Sequence, residues 1–188
     1  AERALAATLL LLSAPLLVLV AMAIRWDSSG PALFRQTRIG KGGREFVIFK
    51  FRTMIEDSGD ATREADITRE NDPRITTLGR FLRRTRLDEL PQLINVVRGD
   101  MSFIGPRPET KRLSDWYASN IDFYNYRYVV LPGITGWAQV SQGHVASDEE
   151  VSRKLQYDLY YVKNFSPWLD IVVALKTVKV MLFKLGAK

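Results

Sequence analysis

Thr85-Arg86-Leu87-Asp88-Glu89-Leu90-Pro91-Gln92-Leu93 is the stretch on which the rest of the chain turns. Leu90, Leu93, Ile94 and Val97 fall at i, i+3, i+4 and i+7, one apolar helical stripe. Asp is a favoured N-cap type, so the pattern predicts a short helix opened by Asp88. Pro91 then lies in the first turn, where its missing N–H is no loss. Gly99 follows as a stop. Asp88 and Glu89 therefore sit where helix N–H groups gather negative charge. Arg80, Arg83, Arg84, Arg86 and Arg98 lie close in sequence. Adjacent acids among guanidinium groups suit phosphate chemistry with a divalent metal. A capped surface helix with solvated acids is the plainer alternative, and the motif alone favours it slightly.

Working outward, composition sets bounds. A chain of 188 residues suits one domain with a sizeable core. Its net charge of +6 calls for an anionic partner, either nucleic acid, anionic lipid or a phosphorylated substrate. The absence of cysteine excludes disulfides, thiolate metal sites and cysteine nucleophiles.

Towards the N-terminus, Ala4 to Ile24 is 21 residues without a charge, enough to cross a hydrocarbon core of about 30 Å. Three readings compete. A signal peptide is suggested by Ala21-Met22-Ala23, but the apolar run is long for one. A transmembrane anchor and a re-entrant hairpin stand about even. Pro15 sits mid-run, where it kinks or breaks a helix. Arg3 on one flank, with Arg25, Arg35, Arg38 and Lys41 on the other, places positive charge on both sides. Asp27-Ser28-Ser29-Gly30-Pro31 is turn chemistry that ends this segment. Ala32–Arg38 and Glu45–Phe51 read as a small hairpin whose Arg35, Arg38, Lys50 and Arg52 are available to an anionic head group or phosphate.

Glu56–Arg74 is charged and reads as a solvated loop with some helix. Thr76–Thr85 has the pattern of an interfacial helix. Past the central stretch, Gly105-Pro106-Arg107-Pro108 brackets one arginine with two prolines, which stiffens the backbone and presents a guanidinium at low entropic cost. Lys111–Tyr128 looks helical and is rich in aromatic residues. Pro132-Gly133-Ile134-Thr135-Gly136 is a glycine-bearing turn suited to close approach of backbone to a ligand. His144 is the sole histidine and receives no role. Ser147–Glu150 is a capping box opening a helix to about Lys163. Ser166-Pro167 starts a last, strongly apolar helix that lies at a bilayer surface or packs into the core.

Taken in order, these stretches resemble the bacterial sugar transferase family, the monotopic phosphoglycosyl transferases. The likeness runs through Pro31-Ala32-Leu33-Phe34-Arg35-Gln36-Thr37-Arg38-Ile39-Gly40, Lys50-Phe51-Arg52-Thr53-Met54 and Asn71-Asp72-Pro73-Arg74-Ile75-Thr76. It continues through Leu87–Leu93, Gly99-Asp100-Met101-Ser102, Gly105–Pro108, Pro132–Gly136 and Tyr157-Asp158-Leu159-Tyr160-Tyr161. Each is weak alone, and the ordered set is very specific.

The resemblance implies transfer of a sugar 1-phosphate from a UDP-sugar to undecaprenyl phosphate, with release of UMP, as the initiating step of glycan assembly. It implies an Asp-Glu dyad with Mg²⁺. Asp88 is then the nucleophile of a covalent phosphosugar intermediate and a metal ligand, and Glu89 its assistant in positioning or proton handling. Arg107, Arg83 and Lys50, in that order, are the candidates for phosphate contacts. The expected fold is α+β and mostly helical: a re-entrant membrane helix–break–helix over residues 1–26, then a membrane-associated catalytic domain over 27–188. That domain would carry a small β-hairpin, interfacial amphipathic helices and no large sheet. The implied location is the inner membrane of a bacterium, with the catalytic domain on the cytoplasmic face against membrane lipid. A homo-oligomer is compatible with this reading. A non-catalytic basic module for anionic lipid is the competing function. A nucleic-acid binder is disfavoured by the apolar run and the lack of any recognition motif. The sequence singles out neither a sugar nor a pathway.

Overall fold

A computed structural model describes residues 1–55, 72–142 and 148–183. Residues 56–71 of the charged stretch, His144 and the capping residue Ser147 lie outside them. Two compact units divide the chain: residues 1–37 with 47–99, and residues 38–46 with 100–188.

The first unit begins with helix α1 (Glu2–Asp27). No break is seen at Ser13-Ala14-Pro15, where the sequence predicts one: α1 is helical throughout, with Pro15 inside it. Pro15 removes one ladder donor, which leaves a gap in the bonding rather than an end. The Ser13 hydroxyl donates to the Leu10 carbonyl at 3.2 Å. By length and composition α1 can cross a membrane. Its C-terminal half buries Val20 and Ile24 against Phe51 and Leu82. Leu11 and Leu12, at mid-helix, are 76% and 73% exposed.

Strands β1 (Leu33–Ile39) and β2 (Glu45–Phe51) form the expected hairpin, whose tip (38–46) belongs to the second unit. Helix α2 (Thr77–Thr85) is capped by Thr76, whose hydroxyl accepts from Gly79 N at 2.9 Å. A 3₁₀ turn (Leu87–Gln92) and helix α3 (Leu93–Arg98) follow, ended by Gly99 at φ 86°. The buried Asn95 amide fastens α3 to β2: its oxygen accepts from Phe49 N at 3.1 Å, and its nitrogen donates to the Val47 carbonyl at 2.7 Å.

In the second unit, β3 (Ser102–Ile104) pairs in parallel with β4 (Gly133–Thr135), a second small sheet that the sequence does not announce. Three glycines allow it. A Cβ on Gly133 would stand 2.1 Å from Gly105 N, one on Gly136 2.1 Å from the Gly105 carbonyl, and one on Gly105 2.4 Å from the Leu131 carbonyl. The glycines of Pro132–Gly136 therefore serve backbone-to-backbone approach with Gly105, where the sequence suggested approach of that turn to a ligand.

Helix α4 (Lys111–Asn120) ends earlier than its aromatic pattern implies: Ile121 turns extended (φ −128°, ψ 117°), and Phe123, left-handed (φ 64°), starts a 3₁₀ segment over Tyr124–Val129. Short α5 (Trp137–Ser141), α6 (Asp148–Lys163) and α7 (Pro167–Phe183) complete the unit. α7 opens as expected, with Ser166 Oγ accepting from Leu169 N. It buries Val173 and leaves Trp168, Ile171, Leu175 and Val178 exposed.

Candidate active site

Lys50, Thr53, Arg83, Arg86, Asp88 and Glu89 come together in the first unit. Strand β2 delivers Lys50, and the chain continues to Thr53. α2 crosses close to that segment because Gly79 has no side chain: a Cβ there would lie 2.1 Å from the Thr53 carbonyl oxygen. This packing brings Arg83, in the last turn of α2, to Thr53, and its Nε donates to Thr53 Oγ1 at 2.8 Å.

Arg86 then takes a left-handed conformation (φ 58°), which ends α2 and restarts the chain in the 3₁₀ turn. Asp88 is accordingly not an N-cap. It lies with Glu89 inside the first turn of that 3₁₀ segment, with Pro91 further along the same turn. The expectation of one helix from Asp88 to Arg98 fails because Arg86, two residues upstream, already makes the left-handed turn.

Both acids are 8% exposed. Glu89 Oε1 lies 3.4 Å from Lys50 Nζ and 3.6 Å from Arg86 Nη1. Asp88 Oδ1 is buried and has no hydrogen-bond partner among the described residues. Burial, and then the Glu89 charge beside it, push the Asp88 carboxyl up to about 6, while Lys50, Arg83 and Arg86 pull against that rise. Asp88 is thus a poorly solvated carboxylate with a free oxygen, surrounded by cations.

Among the described residues no group of three or more His, Cys, Asp or Glu side chains gathers to hold a metal. Mg²⁺ often takes only one or two protein carboxylates and completes its shell with water and substrate phosphate. An orphaned carboxylate oxygen on Asp88 beside Glu89 fits that mode and not an all-protein cage.

Arg107 belongs to the second unit, and its carbonyl accepts from Arg127 Nη2 at 2.8 Å. Other arginines of the hairpin are occupied structurally. Arg52 spends its guanidinium on the carbonyls that end α1, at Ser28 (2.7 Å), Ser29 and Ile24. Arg38 donates to the Pro108 carbonyl. The Arg35 guanidinium lies 5.7 Å from the centre of the Phe49 ring. A cleft of about 450 Å³ in the first unit is lined by Arg35, Gln36, Thr37, Val47, Phe49 and Arg98, and so not by the acid pair.

The sequence reading gave no role to Asn95, Arg127 or Asp158, the last of which it quoted only within the Tyr157–Tyr161 stretch. Arg127 Nε and Nη2 donate to Asp158 Oδ2 at 3.1 and 2.8 Å, fully inside the second unit. One signal was present, a lone arginine within the aromatic run Tyr124–Tyr128.

Comparison with known proteins identifies the family of the chain. The sequence model of the family described as bacterial sugar transferase matches residues 1–184, and the chain belongs to that family. It is 45% identical over 177 residues to a UDP-N-acetylgalactosamine-undecaprenyl-phosphate N-acetylgalactosaminephosphotransferase of Aeromonas hydrophila, covering 94% of this chain and 41% of the relative. It is 42% identical to a UDP-glucose:undecaprenyl-phosphate glucose-1-phosphate transferase of Escherichia coli (strain K12), covering 93% and 38%. With an undecaprenyl-phosphate galactose phosphotransferase of Salmonella typhimurium it shares 38%, covering 95% and 39%. The chain spans about two fifths of the length of these three relatives.

Proposed function

We propose that this chain transfers a sugar 1-phosphate from a UDP-sugar to undecaprenyl phosphate, releasing UMP. The carrying observation is the buried Asp88–Glu89 pair, with Asp88 Oδ1 unpartnered among the described residues and Lys50, Arg83 and Arg86 acting on it. The named activities of its relatives point to the same transfer.

The Asp88 carboxylate attacks the sugar-bearing phosphorus of the donor. The bond from that phosphorus to the bridging oxygen breaks, and UMP leaves with the electron pair. Asp88 then carries the sugar phosphate as an acyl phosphate. A phosphate oxygen of undecaprenyl phosphate attacks the same phosphorus, and Asp88 departs as a carboxylate. A carboxylate approaching a diphosphate anion is repelled, so cations set the barrier. Lys50 and Arg83 meet that need from the first unit, and Arg107 is the third candidate contact. Glu89, held near Lys50 and Arg86, positions the pair and takes a proton where the acceptor phosphate carries one. Asp88 is the residue that would hold Mg²⁺, and the ion would supply charge neutralisation for the diphosphate and the leaving UMP.

The acceptor lipid requires a site at a membrane surface, and α1 provides the attachment. Two contacts within the first unit support a path that enters and leaves on one face. Near its start, Arg3 lies against Gly99, where an added Cβ would meet its guanidinium. Near its end, Ile24 packs on Phe51 and Leu82. Both ends thus hold to one unit, while Leu11 and Leu12 between them remain uncovered. That unit then faces the cytoplasm of the cell, with the lipid-phase residues of α1 in the inner membrane.

The test is UMP release in nanodiscs over a panel of UDP-sugars, with and without undecaprenyl phosphate and Mg²⁺. Metal-dependent release from one donor supports the reading and identifies the sugar. No release from any donor by folded, membrane-bound protein contradicts it and favours a lipid-binding module instead.

A further inference from the structure

Four consecutive backbone carbonyls of the second unit are each held by a donor distant in sequence. The Pro106 carbonyl accepts from Gly133 N at 3.0 Å, and that of Glu109 from Ile39 N at 2.9 Å. Between them, the Arg107 carbonyl accepts from Arg127 Nη2 at 2.8 Å and that of Pro108 from Arg38 Nη1 at 3.1 Å. The two inner bonds come from guanidinium groups, and charged donors make the stronger hydrogen bonds.

Those guanidinium groups are themselves immobilised. Arg127 is 2% exposed and divides its donors among Asp158 Oδ2, the Tyr124 hydroxyl (2.9 Å) and the Arg107 carbonyl. Arg38 stands 3.9 Å from Glu109 Oε2, whose partner oxygen takes Lys154 Nζ at 2.5 Å. A buried ion pair rarely adds stability over a hydrophobic replacement, so its presence here asks for another reason. Pro106 and Pro108 already fix φ on either side of Arg107. With all four carbonyls tied, the backbone that carries Arg107 is held in one place.

We propose that Arg127 and Arg38 are positioning residues for Arg107: they tie its loop by the carbonyls so that its guanidinium meets a substrate phosphate in a fixed place. The phosphate role of Arg107 rests on the function proposed above. Arg127 reaches its target through the backbone and does not itself need to touch substrate.

Arg127→Lys keeps the positive charge beside Asp158 and loses the fork that spans carboxylate and carbonyl. Arg38→Lys is the gentler second variant, since Arg38 is only half-buried, and it carries the test where Arg127→Lys does not fold. Two readouts apply. Hydrogen exchange in a peptide covering 104–113 is expected to rise about tenfold in each variant, while peptides covering 87–99 stay at the wild-type rate. In UMP release, KM for the donor is expected to rise about tenfold with a smaller change in kcat. On an Arg107→Ala background neither variant should add to the loss, because both act through Arg107. Additive losses on that background, unchanged exchange in 104–113, or exchange raised throughout the second unit would each overturn the proposal. Wild-type protein that releases no UMP removes the transferase reading, and the exchange result then decides alone whether the two arginines hold the loop.

Discussion

Glu89 Oε1 lies 3.4 Å from Lys50 Nζ, whereas Oδ1 of the neighbouring Asp88 is buried with no hydrogen-bond partner among the described residues. Two adjacent carboxylates thus have unlike surroundings. The one beside its cations is suited to hold the pair in place, and the one with an open oxygen is suited to react.

Of the cations around Asp88, Lys50 lowers its pKa most, so its removal raises that pKa above about 6. Lys50→Met should move the acid limb of the kcat/KM profile upward by roughly half a unit to one unit. A pH series of UMP release checks this. An unmoved acid limb would mean that Asp88 does not set it.

Asp88→Asn should abolish turnover, with a loss of about a thousandfold or more, and at the same time stabilise the protein. The sign follows from linkage. Asp88 has a folded pKa of about 6 against an ordinary 3.8, so its ionisation works against folding. The penalty is absent below about pH 4, grows between there and pH 6, and is full above. Removing the charge should therefore stabilise the fold at pH 7.5 by about 1–3 kcal/mol, seen as a higher melting temperature, and do little at pH 4. Thermal unfolding in micelles at the two pH values is the measurement, and an equal shift at both would contradict the assignment.

Glu109 behaves oppositely. Against the opposing effect of burial, the charges of Lys154, Arg127 and Arg38 bring its pKa down to about 2. Its contribution is present above pH 4.5 and lost as pH falls through 2. Glu109→Gln leaves those cations facing one another, and a loss of about 3–5 kcal/mol at neutral pH is expected. Melting curves would show it; a variant as stable as wild type would exclude Glu109 as the anchor of that cluster.

Gly79→Ala places a methyl against the Thr53 carbonyl. Alanine is the better helix former, yet the clash should lower stability by about 1–3 kcal/mol. Activity should fall as well, because the same contact brings Arg83 to Thr53. Full activity with unchanged stability would show that α2 can shift without disturbing the site.

What the sequence discloses follows from how local each signal is. The stop at Gly99, the Ser166-Pro167 start of α7 and the hairpin around Gly40 all depend on neighbours within a few residues, and each is found where expected. Asp88 and Glu89 were visible as a pair for the same reason. Asn95 escaped notice because its partners lie 46 and 48 residues away on β2. Arg52 reads as a phosphate ligand until its use on the end of α1 is seen. Gly133 and Gly136 look like a ligand turn because nothing local reveals that the backbone they approach is that of Gly105. Arg86 hid its left-handed turn, since arginine is not a residue that signals positive φ.

The central claim is that Asp88 forms a bond to the sugar phosphate. Mass spectrometry of the protein incubated with its UDP-sugar donor, without undecaprenyl phosphate, tests it most directly. The account predicts an adduct of one sugar phosphate on the peptide bearing Asp88, absent in Asp88→Asn and discharged when undecaprenyl phosphate is added. UMP release that requires both substrates together, with no adduct at any time, would contradict it.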